Sequence, residues 1–158
     1  MREILFRAKT EPNCKDVITG KIIKNPKWIY GYVDLGYMHD CKAPLISDEK
    51  GNKTYKCQYE TIGQFAGLTD KNGKKIFEGD IVKYGVHSKI GVVTFGVGSF
   101  DSGIYIYIGW HVREPDGSVD MNELYAYDEY SQIEVLGNIH DNPELLKEDT
   151  YEENSDTV

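Results

Sequence analysis

The sequence predicts a mostly β protein, built as two β lobes in one compact unit and finished by a short C-terminal helix. Three observations predict it. Aromatic and glycine residues are abundant, with 12 Tyr, 5 Phe, 2 Trp and 16 Gly, a composition suited to pleated, half-buried surfaces joined by turns. Side chains alternate with a period of two rather than 3.6 over residues 28–33 and 104–108. The uninterrupted block from Tyr59 to Tyr84 places apolar runs around a tight-turn signal and closes on Gly79-Asp80-Ile81-Val82, like the entrance to a small β-barrel.

The elements follow in order. Ile4 to Ala8 alternates, with Ile4, Phe6 and Ala8 on one side and Leu5 and Arg7 on the other, and reads as a short edge strand. Asn25-Pro26 breaks the chain before a strand over 28–33, where Trp28, Tyr30 and Tyr32 share one face and Ile29 and Val33 the other. Polar residues 48–53 between Leu45-Ile46 and Thr54-Tyr55 mark a hairpin. Gly63 to Leu68 enters the next strand, and Asn72-Gly73 is the strongest hairpin signal of the chain, read as a type I′ turn. Ile90 to Phe95 and Ile104 to Ile108 are the two best strands. The second alternates Ile with Tyr105 and Tyr107, and its isoleucine face is expected to be buried. Residues 96–103 between them read as a flexible loop suited to a partner contact. Leu124-Tyr125-Ala126-Tyr127 and a closing strand at Ile133 to Leu136 follow. Asn142 as N-cap, Pro143 at N1 and Glu144 in the first turn then start one or two helical turns.

Charge is unevenly placed. The net charge is −8, yet residues 101–158 hold 2 Lys/Arg against 15 Asp/Glu, while residues 1–60 hold 11 against 8. Phosphate-backbone binding needs clustered cations, so the acidic third disfavours nucleic acid as a partner. Cys14, Cys41 and Cys57 lack the close pairing of a zinc site and read as free thiols. No run of about 18 apolar residues is present to suggest a membrane span, and charges at Arg2, Glu3, Arg7 and Lys9 oppose a signal peptide. The expectation is a soluble protein of the cytoplasm.

Three segments together resemble the YopX-like family of bacteriophage and prophage proteins: Lys27 to Tyr32, Thr61 to Val82, and Glu134 to Leu146. Ala66 stands where threonine is expected and Leu136 where isoleucine is usual. The resemblance implies an SH3-like β-barrel lobe, assigned with the signature to 63–147, and a phage or prophage origin in a bacterial host; beside it the residues themselves are read as an additional N-terminal β lobe over 1–62 and an acidic tail over 148–158 with too little apolar content to pack, expected to be mobile. It implies no activity and no catalytic residues. Its recognisable positions, Gly67, Asn72, Gly73, Glu78, Gly79, Asp80, Gly137, Asn138, Asn142 and Pro143, are turn and core-spacing positions.

Few patterns carry chemistry. Glu78 and Asp80 straddle a glycine and could hold a divalent cation or share a proton, although turn chemistry explains them more simply. Gly96-x-Gly98 lacks the third glycine and helix of a dinucleotide site, and Gly73-Lys74-Lys75 lacks the P-loop frame. His39, His87, His111 and His140 are dispersed, without a zinc or nucleophile pattern. The aromatic series Trp28, Tyr30, Tyr32, Tyr105, Tyr107, Tyr125 and Tyr127 is the candidate binding surface, with lobe packing as its alternative. No catalytic residue, metal or cofactor is assigned. The leading reading is a non-catalytic protein-interaction module that engages a host or phage protein, or a second copy, through the aromatic face and the 96–103 loop. A nucleic-acid-binding barrel using Lys71, Lys74, Lys75, Lys83 and Lys89 is second. A metal-dependent hydrolase built on Glu78, Asp80 and a histidine is last.

Overall fold

Period-two patterning becomes strands almost throughout the computed structural model, which describes residues 4–34, 44–100, 105–119, 124 and 133–147. Among these residues lie β1 (Phe6–Lys9), β2 (Cys14–Lys15), β3 (Ile22–Ile23), β4 (Trp28–Asp34), β5 (Leu45–Asp48), β6 (Thr54–Lys56), β7 (Gly63–Thr69), β8 (Lys75–Phe77), β9 (Asp80–Tyr84), β10 (Lys89–Phe100), β11 (Tyr105–Arg113) and β12 (Glu134–Asn138). A six-stranded sheet runs β6-β5-β4-β1-β7-β8, a four-stranded sheet runs β11-β10-β9-β12, and β2-β3 form a separate ribbon. All paired neighbours are antiparallel.

Each face of the large sheet has its own core. Ala8, Cys14, Ile29, Ile46, Tyr55 and Cys57 pack on one side, and Leu5, Phe65 and Phe77 pack together as a second cluster. The four-stranded sheet buries Val82, Tyr84, Val93, Trp110 and Val112 together with Ala66, Leu68 and Ile76. Strands β7 and β8 therefore belong to the large sheet by hydrogen bonding and to the small sheet's core by packing. Alternation makes this dual service available, because successive side chains of β7 point to opposite sides.

Six expectations need correction. Strand β1 is interior, pairing with β4 through Phe6–Gly31 and Ala8–Ile29 and with β7 through Phe6–Gln64; its alternation fills both faces, which an edge does not require. Residues 96–100 belong to β10, because Gly96 to Phe100 pair with Tyr105 to Gly109. The isoleucine face of β11 is not buried at Ile108, which is 72% exposed. Strand β9 pairs with β10 only over Lys89–Val92, so the outer part of the β10-β11 ribbon projects beyond the strand that would cover it.

The Asn72-Gly73 bend is not type I′, since only Gly73 of the two has positive φ, at 79°. Asp70 organises it instead: its Oδ1 accepts from the Asn72 and Lys74 N–H groups at 2.8 and 2.9 Å, and its carbonyl accepts from Gly73 N at 2.9 Å. At the C-terminal end, Pro143–Leu146 forms one 3-10 turn rather than the expected helix, and Asn142 makes no side-chain cap. None of those four residues is buried, so no packing offsets the cost of nucleating a longer helix. The described strands also form open sheets with no closed barrel. Strands β7 and β8, which would be needed to close the small sheet, are hydrogen-bonded into the large one.

Candidate functional site

The three signature segments converge on one seam between the sheets, and the seam is built around Arg7. On β1, Arg7 lies opposite Tyr30 and Lys9 opposite Trp28, so two cations face two aromatics across adjacent strands. The Arg7 guanidinium is held between the Trp28 ring at 4.9 Å and the Phe77 ring at 5.0 Å. Its Nη1 meets Asp80 Oδ1 at 2.6 Å, and its Nη2 donates to the Glu78 carbonyl at 3.2 Å. Beyond Phe77 the stack continues to Tyr30 at 5.5 Å and Phe65 at 5.6 Å, and Lys75 Nζ lies 5.2 Å from the Phe65 ring.

The Glu78-Gly79-Asp80 turn carries the chain from one sheet to the other. Glu78 N donates to the Gln64 carbonyl of the large sheet and Gly79 N to the Val93 carbonyl of the small one, both at 2.9 Å. Gly79 has φ 78°, a left-handed conformation that ordinary residues adopt at a cost. Opposite it, Gly137 leaves room for Asn142: a Cβ there would lie 2.4 Å from Asn142 Oδ1, the atom that accepts from Asn138 N.

Trp28 closes the other end. Its Nε1 donates to Asp141 Oδ2 at 2.7 Å, Lys9 Nζ pairs with Asp141 Oδ1, and Asn138 Nδ2 donates to Asp141 at 3.0 Å. The Lys9 ammonium, helped by the Asn138 and Trp28 donors, holds the Asp141 carboxyl down to about 2 against partial burial. Burial pushes the Asp80 carboxyl upward, opposed by Arg7 and by the Phe77 N–H that donates to its Oδ2 at 2.8 Å. His140 is 6.0 Å from the Trp28 ring, and burial with the Arg7 and Lys9 charges pushes its pKa down, leaving a neutral imidazole near pH 7. The carboxylates here are committed to donors that brace the fold, an arrangement for cohesion rather than proton transfer.

The structure divides the aromatic series. Trp28 is half-buried in the seam, whereas Tyr30 and Tyr32, on the same face, are 45% and 47% exposed. Tyr105 and Tyr107 lie in β11 opposite Phe100 and Gly98. Tyr125 and Tyr127 fall outside the described residues, as do Cys41, His39 and the 148–158 tail. Cys14 and Cys57 are free and buried.

A second surface was read in the sequence only as the 96–103 contact loop. Phe95 and Val97 on β10 and Ile108 on β11 are 52%, 63% and 72% exposed. Val97 is paired with Ile108 and Phe95 with Trp110, and Phe95 meets the buried Trp110 edge-on at 5.0 Å. The apolar face of the ribbon thus starts in the core and runs out into solvent. The signal was present as period-two alternation carried through Gly96 to Val97, but the glycines read as a loop.

Other candidates are absorbed by structure. Asp80 is taken by Arg7 and the Phe77 N–H, so Glu78 and Asp80 do not form a free carboxylate pair. Lys71 pairs with Glu134 at 2.5 Å and Lys89 with Glu114 at 2.6 Å, removing two of the five lysines proposed to meet phosphates. Among the described residues no group of three or more His, Cys, Asp or Glu side chains could hold a metal ion, and no helix is long and apolar enough to cross a membrane.

Comparison with curated proteins finds no match. The chain does match the family described as YopX protein over residues 16–147. That span takes in every segment meeting at the seam except β1, which supplies Arg7 and Lys9. Covering most of the sequence, the match establishes that the chain belongs to the YopX family.

Proposed function

We propose that this protein is a non-catalytic protein-interaction module of bacteriophage or prophage origin, working in the bacterial cytoplasm, and that the outer β10-β11 ribbon is its contact surface. The observation that carries the reading is the apolar face of Phe95, Val97 and Ile108, continuous with the core through Trp110. These side chains leave on the order of 300 Å² of apolar surface open, the range in which a monomer's largest patch is often functional. A standard interface takes about 800 Å² from each partner, so the ribbon forms the centre of a wider contact. The ion pairs of Lys71 and Lys89 and the net charge of −8 weigh against a nucleic-acid partner. The carboxylate geometry at Asp80 weighs against a hydrolase.

The test pairs the wild-type chain with the Val97→Ser, Ile108→Ser double variant, checked for an unchanged melting curve. Sedimentation at high micromolar concentration reads self-association, and crosslinking to purified candidate host or phage proteins reads a heterologous contact. Loss of either association in the double variant supports the proposal. A wild-type chain that stays monomeric and crosslinks no better than the variant overturns it.

A further inference from the structure

A cleft on the large sheet brings aromatic and apolar side chains together with charges of both signs. Its volume is about 300 Å³, at the lower end of ligand pockets and of the size of one small ligand rather than a polymer. Tyr30, Phe77 and Leu5 are its aromatic and apolar lining, with Tyr30 the exposed member. Tyr30 is fixed against Phe77 at 5.5 Å while 45% of it remains exposed, so the ring is held from one side and open on the other. Lys74 of the 70–74 turn, Lys75 at the start of β8 and Glu49 of the β5-β6 turn also line it. Arg7 also lines the cleft; its Nε is buried without a hydrogen-bond partner, and its charge is already matched by Asp80.

We infer that this cleft binds a nucleoside monophosphate. The ring stacks on Tyr30, the phosphate is drawn to Lys74 and Lys75, and Glu49, which only accepts hydrogen bonds when ionised, receives the ribose hydroxyls or an exocyclic amine. Aromatic stacking tolerates any base because every base has a π-face. Glu49 repels a second run of phosphates, so the chemistry fits one nucleotide and not an extended strand. The site involves none of the ribbon residues, so its fate is independent of the protein-interaction reading.

Calorimetry and amide NMR on the full chain test it, with AMP, GMP, CMP and UMP as ligands and adenosine, inorganic phosphate and L-tyrosine as controls. The expected result is saturable binding of the monophosphates in the millimolar range or tighter, weak or no binding of adenosine or phosphate alone, and amide shifts centred on Tyr30, Glu49 and Lys74. Tyr30→Ser should weaken binding about tenfold or more. Lys74→Gln should weaken it less and flatten its salt dependence. Circular dichroism confirms that both variants fold. No saturation with any monophosphate, equal binding of phosphate alone, preference for L-tyrosine, or binding that survives both substitutions would overturn the assignment.

Discussion

Removing the charge of Arg7 while keeping its stem isolates what the buried ion pair does. The Arg7 and Asp80 side chains are 6% and 1% exposed and meet at 2.6 Å. In Arg7→Met the aliphatic chain still fills the space between Trp28 and Phe77, but the Asp80 carboxylate is left buried with the Phe77 N–H as its remaining donor. Stranding a buried charge costs about 3–5 kcal/mol, a large part of the roughly 5–15 kcal/mol that holds a domain of ordinary stability together. For a chain of this length that corresponds to a fall in melting temperature of about 6–20 °C. The carboxyl can escape by taking up a proton, because burial already pushes its pKa upward. A group whose folded pKa lies above its unfolded value keeps its stability below the unfolded pKa and loses it as pH rises through the folded one. The deficit of Arg7→Met is therefore smallest in mild acid and grows toward neutral pH. Adding Asp80→Asn restores much of the loss, since the amide oxygen still serves the Phe77 N–H without a charge. Urea unfolding of wild type, both single variants and the double variant between pH 4.5 and 7.5 completes the cycle. A cost below about 1 kcal/mol for Arg7→Met at pH 7, or simple additivity in the double variant, would refute the reasoning.

Asp141, held at about 2 against an ordinary 3.8, contributes stability that is present above about pH 4 and is lost as pH falls through 2. Because its side chain is 35% exposed, screening reduces the contribution to about 1 kcal/mol. Asp141→Asn should flatten the acid limb of a stability profile by that amount. Gly79→Ala meets Ile139 only at an ordinary 3.5 Å, so its cost of about 1–2 kcal/mol comes from the backbone alone, and thermal melting measures it. With Cys41 replaced by Ser, the remaining thiols should resist Ellman's reagent in the folded protein and react at once in denaturant. Cys57 should be the slower of the two, its pKa pushed up to about 12 by burial.

Local rules made the strands legible wherever both faces of a segment had distinct work. The alternation of Trp28-Ile29-Tyr30 sorted itself as read, with Ile29 in a core and the aromatics on the other face. The β5-β6 hairpin appeared around its polar turn. What escaped was decided by partners far along the chain. That Arg7 is buried could be suspected from its place beside Leu5, but its acid, Asp80, lies 73 positions away, and no periodicity connects them. The expected closed barrel failed for the same reason, since the alternation of Phe65 and Ala66 is the same whether β7 closes the small sheet or joins the large one. Ile108 was misplaced because a strand pattern records two faces without recording how far the neighbouring strand extends. Asp70 displaced the Asn72-Gly73 expectation by capping two N–H groups that a tight bend would have left to the backbone.

The dual service of β7 and β8 ties the fate of the two sheets together. Prising them apart would strip Phe65 and Phe77 from one cluster and Ala66, Leu68 and Ile76 from another in the same event. Neither half can loosen on its own, so the polypeptide should come undone as one cooperative piece, and a fragment trimmed to either sheet would inherit an exposed greasy flank instead of a finished surface.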